Sequence, residues 1–97
     1  MIQSNSKLSA GQKEDRKILK MNMPSVKLVN NQQTTIAYKE LGNTVEFALS
    51  VMSDNEKKFR AKVGEYNALM RFENGRTVKM ARDDFYKMMM IVYGIYL

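Results

Sequence analysis

Lys58, Arg60 and Lys62 alternate with Phe59, Ala61 and Val63 in the stretch KKFRAKVGEYNALMRFENGRTVKMARDD, the one spacing in this sequence that suggests chemistry. On an extended strand, alternate residues stand about 6.6–6.8 Å apart on one face, a repeat close to that of successive phosphates along a nucleic-acid strand. Three cations so spaced can track a phosphodiester backbone, and Arg71 and Lys79 on neighbouring strands would widen the cationic face. Such contacts position a protein on nucleic acid without reading its sequence. No aromatic residue falls on that face, so base stacking is not expected, and Leu69 is the apolar group placed to meet a base or sugar.

Catalysis has no comparable support. The chain contains neither cysteine nor histidine, which removes thiolate nucleophiles, imidazole bases and the usual zinc ligand sets. Asp83 and Asp84 read as a helix start rather than an acid pair, and Glu14 and Asp15 sit in a polar segment. No metal, cofactor or small-molecule substrate is expected, and the protein is read as a non-enzyme.

The elements that would present the cations follow from registers. Gly64-Glu65 is taken as a two-residue hairpin loop, which sets Val63 opposite Tyr66, Ala61 opposite Ala68 and Phe59 opposite Met70. A three-residue Glu73-Asn74-Gly75 loop with a left-handed glycine then pairs Met70 with Val78 and Ala68 with Met80. One face becomes apolar (Phe59, Ala61, Val63, Tyr66, Ala68, Met70, Phe72, Val78, Met80). The other carries Lys58, Arg60, Lys62, Asn67, Leu69, Arg71, Thr77 and Lys79. Upstream, Val26 and Leu28, then Thr34 to Lys39, then Thr44 to Val51 alternate with period two, with turns at Asn30–Gln33 and at Gly42-Asn43. Pairing Val51 with Phe59 would join the two halves. The fold class is therefore α+β: an antiparallel meander of five to six strands, then a C-terminal helix from Asp83 or Asp84 packed on one face through Phe85, Met88, Met89, Val92 and Tyr96.

Size and charge bound the rest. Ninety-seven residues make one domain, with a net charge of +6 and a pI near 9.7. Residues 57–82 hold eight Lys/Arg and two Glu, a balance of +6, so the remainder is neutral. That excess favours an anionic partner, nucleic acid or an acidic protein. Residues 1–24 read as a polar, basic N-terminal arm, flexible or a short helix near 10–21, ahead of a domain spanning 25–97. Ser9 and Gln12 suggest a capping box, with Glu14 and Asp15 in the first turn. No signal-peptide pattern is present, the apolar run Met88–Leu97 is too short to span a bilayer, and a reducing cytoplasm is the expected location.

No charge occurs from Met88 to Leu97, and Tyr86, Met90, Tyr93 and Leu97 fall off the sheet-facing stripe. They are expected to form a homo-oligomer interface. The function expected is sequence-independent nucleic-acid binding, single strands favoured, by an oligomer with a basic sheet face. Strands followed by a helix over residues 44–97, with a cationic sheet face, are similar in outline to small transcription cofactors that bind single strands. The alternative is a small phage-like inhibitor or regulator, or a structural particle subunit, that docks a protein partner.

Overall fold

The computed structural model describes residues 10–52 and 61–97. Their elements run α1 (Ala10–Asn22), β1 (Lys27–Asn30), β2 (Thr34–Leu41), β3 (Thr44–Val51), α2 (Ala61–Glu73), β4 (Val78–Ala81) and α3 (Arg82–Tyr93). The protein is α+β, with an antiparallel sheet of four strands in the order β1-β2-β3-β4.

The first three strands form where the period-two alternation places them. Asn31 organises the β1–β2 turn: its Oδ1 accepts the backbone N–H groups of Gln33 and Thr34, both at 2.7 Å, an Asx turn. Leu41 pairs with Thr44 around Gly42-Asn43, and Gly42 takes φ +69°, open to glycine at no steric cost. From there β2 and β3 stay in register to Thr34 opposite Val51. On the other edge of β3, Val45 faces Met80 and Phe47 faces Val78.

Both faces of this sheet are covered. Ile36 and Tyr38 of β2 and Val45 and Phe47 of β3 point to one side, where Phe85 and Met89 of α3 complete a buried cluster. Phe85 is its hub, with ring centroids 5.3 Å from Tyr38 and 5.1 Å from Phe47. Ala37, on the opposite face, packs with Ala68 and Leu69 of α2 and Leu19 of α1. Ala48 lies beside Ala37 across the strands and is also buried, so small residues let α2 approach the sheet closely. The helix α1 lies against α2, tied by Arg16 to Glu65 at 2.8 Å. From Ala10 on, the expected arm is thus a helix built into the domain. Glu14 and Asp15 fall in its second turn rather than its first, and Ser9 lies outside the described residues.

The largest departure is at residues 61–73, which form a helix and not a hairpin. The segment carries both periods: Val63, Tyr66 and Met70 recur at helical spacing as well as alternating, and Ala, Leu, Met, Glu and Arg favour helix. The choice between them comes from the second sheet face, which needs an apolar cover that a longer sheet would not supply. Gly64, read as a turn residue, is buried inside α2. Gly75 does adopt the expected left-handed conformation, φ +76°, but it ends a helix: its N–H bonds Phe72 O at 3.1 Å and the Arg76 N–H bonds Arg71 O at 2.9 Å. The pairings of Ala61, Val63, Met70 and Ala68 with strand partners are therefore overturned, as is the likeness to the single-strand-binding cofactors over 44–97. The sheet has four strands among the described residues, and the proposed pairing of Phe59 lies outside them.

Two substitutions test this packing by urea unfolding. Phe85→Ala should cost about 3–5 kcal/mol, the range for emptying a buried aromatic site. Gly75→Ala, which forces a Cβ into the left-handed region, should cost about 1–2 kcal/mol.

Candidate functional site

Of the five cations expected on one sheet face, Lys62, Arg71 and Lys79 are among the described residues, and they do not share a sheet face. Lys58 and Arg60 lie outside the described residues. Lys62 is exposed near the start of α2 and Arg71 near its end, about 13 Å apart along the axis at 1.5 Å per residue. Arg71 uses its guanidinium to bond the Leu49 carbonyl, fixing the end of α2 to β3. Lys79 is exposed on β4 opposite Glu46 in the register, and the Glu46 carboxylate accepts the Thr77 hydroxyl at 2.6 Å. Leu69, placed among these cations by the strand register, is 1% exposed and belongs to the core beneath α2. On the α1–α2 seam, Glu65 takes both Arg16 and, at 3.3 Å, Lys20. Among the described residues no group of three acidic, His or Cys side chains could hold a metal ion.

The C-terminal region is where a coherent surface remains. Phe85 and Met89 set the inner face of α3, and Met88 and Tyr93 pack beside them. At the far end, Gly94 turns left-handed at φ +66°, and the Ile95 N–H returns to Met89 O at 2.9 Å, folding Ile95 back onto the core. Asn31 Nδ2 donates to the Tyr93 carbonyl at 2.9 Å, tying this end of α3 to the β1–β2 turn. Of the four interface residues expected, Tyr93 is thus mainly a packing residue, while Tyr86, Met90 and Leu97 are exposed. Three others join them. Ile91 is 75% exposed, Val92 64% and Tyr96 80%. The expectation for Tyr96 runs the helix on to Leu97, and the signal against it is Gly94, a helix-ending residue near the end of the apolar run. Val92 lies within α3 on the Phe85 side and is exposed nonetheless.

The start of α3 is neutral overall and is held by polar contacts to the β2 and β3 ends, among them the Arg82 N–H to Asn43 O at 2.8 Å. Arg82 and Lys87 balance Asp83 and Asp84, and the two acids lie in the first turn, where the helix dipole favours them. The Tyr86 hydroxyl donates to Glu40 Oε1 at the end of β2. That hydrogen bond, then desolvation and the carboxylate charge, hold the Tyr86 phenol above its ordinary pKa. Burial and then Glu40 raise Tyr38 as well.

No protein-family model matches this chain, and comparison with curated proteins and with solved structures finds no match.

A raised tyrosine pKa in the folded state means the native protein holds the proton more tightly than the unfolded chain does. The stabilisation is whole below about pH 10, the unfolded value, and is lost as pH climbs from there through the folded-state pKa. Thermal midpoints measured across the alkaline range should therefore fall less steeply in Tyr86→Phe than in the wild type.

Proposed function

We propose that this chain is a non-catalytic docking module that binds a protein partner through the outer surface of α3 and the turn after it. One observation carries the reading: Met90, Ile91, Val92, Tyr96 and Leu97 are all exposed within a stretch that contains no charged residue. Contiguous apolar surface of this kind marks interaction sites, and methionine and tyrosine are enriched in them. The interior of the domain supports the same view, since the two buried clusters are built from side chains that pack rather than react. Its cysteine-free composition suits a reducing compartment such as the cytoplasm.

The charge distribution favours a second reading, polyanion binding by the oligomer. Lys62, Arg71, Arg76, Lys79 and Arg82, the described cations of the stretch that holds the whole +6 excess, are all exposed. They would contact phosphates without reading sequence, from a helix and an edge strand rather than a flat sheet face.

Tagged protein incubated with a nuclease-treated extract should retain a protein partner, further copies of the chain included. Ile91→Lys should lose at least tenfold of that retention while keeping the wild-type circular-dichroism spectrum, and equal retention by the variant would defeat the docking reading. For the second reading, oligonucleotide affinity should fall with salt at a log–log slope of about −0.7 per phosphate contacted. A flat salt response, or full affinity in a Lys58/Arg60/Lys62 triple alanine variant, would dismiss it.

A further inference from the structure

We infer that the occupant of the α3 surface is a second copy of this chain, paired about a two-fold axis. The inference rests on the docking reading above and names its partner. Area is the first argument. Scaled by full residue areas, the exposed fractions of Tyr86, Met90, Ile91, Tyr96 and Leu97 amount to on the order of 600 Å², at the low end of the range around ~800 Å² per partner of a standard stable interface. The surface thus suffices for one symmetric contact of ordinary size.

Charge is the second argument. A chain carrying +6 repels its own copies, and association is favoured where the local charge cancels. Residues 82–97 meet that condition, with two cations, two acids and no charge beyond Lys87. At 100° per residue, Asp83, Asp84, Lys87, Met90 and Ile91 fall on the half of α3 opposite Phe85, so both signs lie on the outer face with the apolar groups. A surface holding both signs in balance carries no net charge to oppose a second copy of itself.

Form is the third. A helix seated on the outside of a sheet presents a ridge and not a groove. Two identical ridges interdigitate as helix pairs do, with Ile91 and Met90 in the seam. The unchanged surface then serves both partners, as an isologous contact requires.

Sedimentation equilibrium of the full chain over about 1–200 µM tests this. The expected result is a mass rising to twice 11.2 kDa, with Ile91→Lys and Met90→Lys each weakening association at least tenfold. Met21→Lys is the control, since Met21 is equally exposed on α1 in the opposite layer; its mass curve should match the wild type. Circular dichroism of each variant at low concentration confirms that it is folded. A wild type that stays monomeric throughout overturns the inference, as does a dimer that Ile91→Lys leaves intact. If the wild type is monomeric but Ile91→Lys still abolishes capture of a different protein, the docking reading survives alone. If neither mass nor capture responds to Ile91→Lys, both are lost.

Discussion

Because β2 is buried on both of its faces, the chain has to supply two separate apolar covers, and most of its architecture follows from that need. Thr34 through Tyr38 are all buried in succession, with Ile36 and Tyr38 turned to α3 and Ala37 turned to the α1–α2 layer. The covers differ in character. On one side a single large ring, Phe85, enters between Tyr38 and Phe47. On the other, alanines and a buried glycine let a helix settle close over the strands, with Leu69 and Leu19 filling the margins. The arrangement leaves polar atoms to account for: among the described residues the Thr35 hydroxyl and Arg16 Nε are buried without a partner, a local cost.

The half of the fold that obeys one period was legible. From Val26 to Val51 the alternation is uninterrupted by helical spacing, and the turns carry residues whose side chains or φ values make them turns, as Asn31 and Gly42 do. Residues 61–73 were not legible by the same means. Alternation there gave a self-consistent hairpin because a helix facing a sheet on one side and another helix on the next also buries a broad set of positions. Tyr66, Ala68, Leu69, Met70 and Phe72 all join the same cluster. A one-sided sheet makes no demand for such a helix. Once both faces of β2 need cover, it does.

The candidate site shows the same division. A cationic face was inferred from strand spacing, so for its described members it dissolved with the strand: Arg71 holds a carbonyl from the end of α2, and Lys79 stands on β4 opposite Glu46. The uncharged C-terminal run was visible without any register, and for that reason it survived the change of fold. What patterning could not supply was which residues stay outside. That depended in part on where the helix stops, and Gly94 stops it early enough to turn Ile95 inward and leave Tyr96 uncovered.

No linker separates β4 from α3: Ala81 ends the strand and Arg82 begins the helix, with the Arg82 N–H bound to Asn43 O at 2.8 Å. A four-residue edge strand has few hydrogen bonds of its own to resist fraying. Beyond its pairing with β3, it is held by the helix that continues it, so opening of the strand is coupled to loosening of the start of α3. Whatever clamps α3 from outside therefore raises the free energy of opening at Val78–Ala81. Amide exchange along that edge becomes a reporter of occupancy at a surface those residues do not form.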